Sequence, residues 1–261
     1  MARKHVEILM AKPPIRPGEN MLSAMSVAIK TAGDSVVFSD HYIGDSEVLL
    51  IFGVGSKENS VARDKHRAGG GRTIMWDLGY FGNRKHALRV SIDDDHPTKF
   101  LDLAPTKERS FNLRLQNVAN PKGPILLIGT GAKQRSYLRD SNWEINAYVA
   151  LKKRFPGTRI IYRPKSARDY IKLPCERESG MPIAEALHGV SLLVCRHSNA
   201  AADAVVAGVP FEAIDGAATW LSSKPYTSDN REEFLARLAW FQWTPEEAPD
   251  AWKFLIKMMD Q

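Results

Sequence analysis

A chain of 261 residues, 44% hydrophobic and 25% charged, has the make-up of a globular protein with one large domain or two small ones. No apolar run is long enough to cross a bilayer, and Met1-Ala-Arg-Lys-His is not followed by a signal-peptide core, so a cytoplasmic protein without membrane insertion is expected. Two cysteines, Cys175 and Cys195, are too few for a disulfide framework and lack metal-ligand spacing. The net charge of +6 points to an anionic partner; division at Asn120 leaves +3 on each side, which excludes a basic tail and fits nucleotide phosphates or nucleic acid.

In chain order, His5 to Met10 reads as a first strand, and the prolines and Gly18 of Ala11–Asn20 as a loop. Glu19 or Asn20 opens a helix whose apolar positions Met21, Leu22, Met25, Ala28 and Ile29 recur at helical spacing. Strands follow at Ser35–Ser39, ending in Asp40-His41-Tyr42, and at Val48–Gly53, ending in Gly-Val-Gly-Ser, a turn near an acceptor site. A polar helix carrying Lys57, Arg63, Lys65 and Arg67 leads to a fourth strand, Thr73–Trp76. This β-α-β-β-α-β alternation is the rhythm of a doubly wound sheet. Just past the fourth strand, Trp76-Asp-Leu-Gly-Tyr-Phe-Gly-Asn-Arg84 places Asp77, Tyr80 and Arg84 where a crevice is expected. Asp93-Asp-Asp-His96 reads as a solvated turn, with Asp95 and His96 as minor acceptor-site candidates; adjacent aspartates rarely all point inward, so no metal site is expected.

Arg114–Pro124 reads as an interdomain linker, and Pro124–Gly131 as a buried strand ending in a glycine turn. Asn142–Phe155 is helical, Thr158–Lys165 is strand and loop, and Pro182–Leu187 is a short helix. The most informative stretch runs from Val190 to Pro210. Ser191–Cys195 has strand length, Ser198 and Asn199 suit a helix N-terminus, an alanine-rich run follows, and Gly208 and Pro210 stop the helix before a strand at Val209–Ile214. Such a turn presents backbone N–H groups and a helix dipole at a strand's carboxyl end, where open α/β sheets bind phosphate; read without any relative, a capped helix packed on a sheet explains it slightly better.

His197-Ser-Asn-Ala-Ala-Ala-Asp-Ala-Val-Val-Ala-Gly-Val-Pro210 resembles the nucleotide-sugar motif of GT-B glycosyltransferases, in the form found in phage and capsule-type enzymes. Ser198, Asp203, Gly208 and Pro210 fall in register, while His197 stands for the usual Asn and Asp203 for the usual Glu. The Leu-Ala-x-x-Gln-Trp-Thr segment ending at Thr244 resembles the same group, and Tyr162-Arg-Pro resembles its strand-end motif with Lys165 in place of a histidine. The resemblance covers most of residues 48–256. It implies two Rossmann-like domains with a cleft between them: residues 1–118 for the acceptor, 119–228 for the nucleotide sugar, and C-terminal helices in 229–261 that cross back to the first.

It further implies transfer of a sugar from a nucleotide donor, most simply a UDP-sugar, to an acceptor hydroxyl, with no tightly bound cofactor or metal. Donor binding then falls to Gly129, Thr130, Gly131, Lys133, Arg163, Lys165, His197, Ser198 and Asn199, with Asp203 on the ribose. Acceptor binding falls to Tyr80 and Arg84. Asp77, Glu19 and Asp40 are the candidates for the base, Asp77 first because aromatic and glycine neighbours would desolvate it. The phage-like motifs and basic balance imply a hydroxymethylated base in double-stranded DNA as acceptor, in the host cytoplasm if the protein is phage-encoded. A surface polysaccharide transferase, a nucleotide-sugar epimerase and a non-catalytic nucleotide- or nucleic-acid-binding protein are the alternatives.

Overall fold

The computed structural model of the chain describes residues 3–10, 16–53, 56–178 and 180–261. The chain divides into two compact units, Met1–Phe111 with Ala236–Gln261, and Asn112–Leu235.

In the first unit, β1 (His5–Leu9), β2 (Ser35–Ser39), β3 (Val48–Phe52) and β4 (Arg72–Leu78) run parallel, and β5 (Leu88–Ile92) turns back antiparallel on β4. β3 is central, and its residues Val48 to Ile51 are almost wholly buried, as a strand covered on both faces must be. α1 (Arg16–Thr31) and α2 (Lys57–Ala68) make the connections between parallel strands. α1 buries Met21, Leu22, Met25, Ala28 and Ile29, the face read from the sequence. It begins earlier than expected, at Arg16, because Pro17 in a first turn sacrifices no helical hydrogen bond. Gly18 lets α1 lie against β3: a Cβ there would stand 2.3 Å from Cγ of Phe52. Glu7, fully buried in β1, is satisfied by the Ser39 hydroxyl at 2.7 Å and the N–H groups of Ile43 and Gly44 at 2.8 and 3.1 Å. The turn expected at Gly53–Ser56 and the loop expected at Ala11–Asn20 both fall partly outside the described residues, and residues 16–20 of that loop are helical.

The sequence reading places no strand at β5. Residues 93–96 are not a solvated turn. Asp95 and His96 are buried, and Asp95 Oδ1 accepts from the buried Arg63 guanidinium at 2.6 Å. Sequence distance hid that partner, on α2.

The second unit holds a fully parallel sheet of β6 (Ile125–Ile128), β7 (Ile160–Arg163), β8 (Glu176–Arg177), β9 (Leu192–Cys195) and β10 (Phe211–Ala213), in the order β10-β9-β6-β7-β8. Its helices are α3 (Ala132–Leu138), α4 (Trp143–Arg154), α5 (Ile183–Ala186) and α6 (Ala200–Ala207). Trp143 and Leu151 of α4 pack on Ile125, Leu127, Ile160 and Tyr162 of β6 and β7. α6 stops at Gly208, which is left-handed at φ 74° and whose added Cβ would strike the Gln116 carbonyl. Residues 116–118, expected in a linker, belong to this unit instead. The N–H groups of Gln116 and Val118 donate to the Val206 and Ala207 carbonyls at 2.8 and 3.0 Å, and Arg231 grips Val205, Gln116 and Asn117.

α7 (Ser228–Ala239) carries the chain back to the first unit, where β11 (Gln242–Trp243) pairs antiparallel with β5 and α8 (Ala248–Met259) packs on α1. The first sheet is thereby ordered β11-β5-β4-β3-β1-β2. Phe241, Trp243 and Trp252 are buried, and Arg109 lies 3.6 Å over the Trp243 ring while pairing with Glu247. The aromatic tail is core.

Candidate functional site

Strand order sets where a ligand can enter the second unit. From β6 the chain builds outward through β7 and β8, then returns to lay β9 and β10 on the other side. The loops leaving β6 and β9 therefore diverge, and this topological switch point is where open α/β sheets form a binding crevice. Gly129, Thr130 and Gly131 leave β6; Arg196, His197, Ser198 and Asn199 leave β9 and enter α6. Gln134 of α3 bridges the two loops, its Nε2 donating to the His197 carbonyl at 3.1 Å. His197 is left-handed at φ 49°, which turns the chain sharply into α6.

The ten expected donor residues all lie on or just beyond the carboxyl edge of this sheet, in different roles. Gly129 allows close packing, since a Cβ would come within 2.6 Å of the Tyr162 hydroxyl. Thr130 is turned inward: its N–H and hydroxyl donate to Glu144 Oε1 at 2.9 and 2.8 Å, and it is 1% exposed, so its side chain is closed to a ligand. Glu144, itself fully buried, also receives Arg135 at 3.1 Å, and Arg135 reaches the Thr130 carbonyl at 2.6 Å. Arg163 does not offer a free phosphate fork. Its Nη1 lies 2.6 Å from Glu178 and 2.7 Å from the Met181 carbonyl, tying both to the end of β7.

Lys133 and Lys165 are exposed, and the Lys165 stem runs beside Gly131. Near them, Asp169 accepts from the Ala132 N–H and the Ser166 hydroxyl, both at 2.7 Å. Burial works to raise the Asp169 pKa, but those hydrogen bonds and the charges of Arg135 and Lys165 outweigh it, and the carboxyl titrates below its ordinary value. On the β9 side, Ser198 Oγ accepts from the Ala200 N–H at 3.2 Å, and Asp203 sits half-buried in α6. His197 is buried, with Nδ1 3.8 Å from Asp215, and Arg196 pairs with Asp140. The sequence reading passed over Gln134, Arg135, Glu144, Asp169 and Arg196. Nothing local marks them: Glu144 reads as an ordinary acidic residue in a helix's first turn, and its burial shows only in the structure.

In the first unit, Asp40 and Asp77 sit at the carboxyl ends of β2 and β4, and Glu19 in the opening turns of α1, which follows β1. The three candidate bases thus belong to the carboxyl edge of one sheet. Glu19 is exposed, and Asp40 holds His41 Nδ1 at 2.7 Å on the surface. Asp77 accepts from its neighbour's Leu78 N–H and pairs at 2.8 Å with Arg89, its cross-strand partner, whose side chain is only 6% exposed. Tyr80 is not available to an acceptor: it is 1% exposed, and burial pushes its hydroxyl pKa up to about 12. Gln242 fixes it there by accepting from the Tyr80 and Phe81 N–H groups. Arg84 is half-buried in the same turn, its carbonyl accepting from Gly79. Among the described residues no group of three or more His, Cys, Asp or Glu side chains could hold a metal ion, and no helix is long and apolar enough to cross a membrane.

No protein-family model matches the sequence, and no curated protein does. Solved structures do. A Thermosulfurimonas dismutans KpsC beta Kdo 2,4 transferase superposes with a TM-score of 0.56 at 12% identity, over 93% of this chain and 92% of that one. The beta Kdo 2,7 transferase of the same protein gives 0.45 at 12% identity, over 97% and 100%. The spinosyn rhamnosyltransferase SpnG gives 0.34 at 12%, over 99% and 95%. Only the first is close enough to carry an argument, and at that identity the argument concerns fold. With two Rossmann-like units and a C-terminal helix that rejoins the first, the chain has the GT-B fold.

Proposed function

We propose that the protein is a glycosyltransferase that takes its sugar from a nucleotide-sugar donor held by the second unit. The observation that carries this reading is the β6/β9 switch point, where a glycine turn and the start of α6 are joined through Gln134 and His197. The donor diphosphate lies against the Ser198–Asn199 turn and the exposed Lys133 and Lys165, and Asp203 receives the ribose hydroxyls. Positive charge and the α6 dipole stabilise the departing diphosphate. The base comes from the carboxyl edge of the first sheet. Asp77 is the first candidate by position, although its engagement with Arg89 favours Glu19 or the Asp40–His41 pair, in which a carboxylate orients an imidazole toward proton uptake.

UDP is the proposed carrier. For the acceptor, a hydroxymethylated base in DNA follows from the phage-like motifs, and a surface glycan from the fold shared with a Kdo transferase. Calorimetry with UDP and other nucleoside diphosphates tests the donor site: micromolar to millimolar binding, weakened by Ser198→Ala and Lys165→Ala, is expected. No binding of any nucleoside diphosphate would remove the transferase reading. Transfer of labelled sugar to hydroxymethylated duplex or to glycan then separates the acceptors.

A further inference from the structure

The basic charge of this chain is concentrated. Residues 131–177 hold twelve Lys and Arg against four Asp and Glu, more excess than the +6 of the whole chain. Much of it surrounds α4. One face of α4 packs on the sheet through Trp143 and Leu151, and the opposite face, carrying Ile145, Val149, Lys152 and Lys153, is exposed. Val149 is 59% and Ile145 42% exposed, and Lys172 and Arg177 are exposed on the neighbouring segment, which Tyr148 ties to α4 through the Pro174 carbonyl at 2.9 Å. Arg154 and Arg159 pair with Glu212 and Glu176, whereas Lys152, Lys153, Lys172 and Arg177 make no ion pair among the described residues. Along the other flank of α4 runs a groove of about 620 Å³, lined by Ala147, Val194, Phe211 and Ile214 together with Asp140 and Glu212, whose carboxylates pair with Arg196 and Arg154; Ile214 is 64% exposed.

We propose that this face of the second unit docks on an anionic lipid bilayer. Unpaired lysines meet the negative surface potential of anionic headgroups, and the aliphatic side chains between them enter the headgroup–acyl boundary. The aliphatic residues decide between polyanions: nucleic-acid phosphates would satisfy Lys152 and Lys153 but give Val149, Ile145 and Ile214 nothing to contact. Among the described residues no helix is long and apolar enough to cross a membrane, and the proposed attachment is peripheral and reversible. The inference stands apart from the proposed sugar transfer.

Co-sedimentation of the full chain with phosphatidylglycerol-rich vesicles, beside vesicles of phosphatidylcholine alone, tests it. Binding to the anionic vesicles is expected, falling as salt is raised, with little on the neutral ones. Lys152→Glu with Lys153→Glu should weaken it roughly tenfold or more, and Val149→Asp should weaken it while leaving the thermal melt in place, since all three positions are exposed. Failure to bind anionic vesicles at low salt overturns the proposal, as does binding that ignores these substitutions. Binding of duplex DNA that survives Val149→Asp, without lipid binding, assigns the cations to nucleic acid instead. A dimer seen by sedimentation without lipid, and lost in Val149→Asp, assigns the face to a second copy of the chain.

Discussion

Arg163 shows how a single side chain is diverted by a partner far away in sequence. Its guanidinium holds Glu178, 8% exposed, together with the Met181 carbonyl. Arg163→Ala should therefore lower stability by about 1.5–3 kcal/mol, the worth of a hydrogen bond to a charged group, as read from urea unfolding. Lys165→Ala, on an exposed stem beside Gly131, should leave the urea midpoint unchanged and weaken UDP binding about tenfold. An Arg163 variant of full stability would mean that the Glu178 contact is dispensable. Asp77→Asn removes the counter-ion of the buried Arg89 and should lose about 1.5–3 kcal/mol as well. Normal turnover by that variant, once folded, assigns the base to Glu19 or to Asp40–His41. The turn residues of the candidate site were legible because they act locally: Ser198 Oγ accepts from the Ala200 N–H two residues on, and Gly208 and Pro210 act through their own backbone. Thr130, Arg163 and Tyr80 were misjudged because their directions are set by Glu144, Glu178 and Gln242, which local sequence does not reveal.

At the scale of elements, period and punctuation did most of the work. The buried face of α1, the all-apolar β3 and the strand–turn–helix of β9 and α6 could be read directly. β5 could not, because its five residues run straight into Asp93-Asp-Asp and its pairing is made by β4 and β11. Gly18→Ala should displace α1 from β3 and cost about 1–3 kcal/mol, since the new methyl meets the Cβ and ring of Phe52. His66 gives α2 a pH dependence. It is 3% exposed, with Nδ1 3.2 Å from the Tyr42 hydroxyl, and burial lowers its pKa from the ordinary 6.5. As pH falls below that value the unfolded chain takes up this proton before the folded one, so stability is lost down through the folded-state pKa. Urea unfolding at about pH 7 and about pH 5.5 should show that loss, and His66→Gln should shrink it. An unchanged pH slope would show that His66 carries no share of it.

For the molecule as a whole, the residues of one unit are not contiguous. Residues 112–235 form an insertion within a unit whose two parts are 1–111 and 236–261. The late part contributes an edge strand, the Gln242 clamp on Tyr80 and Phe81, and the Arg237 guanidinium that binds the carbonyls of Leu101, Asp102 and Ala104. A chain ended after Leu235 should keep a folded second unit and lose the first, seen as protease sensitivity confined to residues 1–111. Equal resistance in both units would show that the first unit does not need its late part. The doubly wound rhythm of the first half was readable from alternation alone, whereas the second half was assigned through its resemblance to a nucleotide-sugar domain. The boundary was not, because Pro121 and Gly123 mimic a linker while residues 116–118 are pinned to α6.

That returning segment also fixes an order of events on the ribosome. All five strands of the second unit emerge, and its sheet can close, while the first unit still lacks β11 and α8. Throughout that interval β5 presents an unpaired edge, and the surface of α1 that will meet α8 lies open to solvent. A chaperone that shields nascent chains would find its substrate here in residues 1–111, made before the second unit and completed after it.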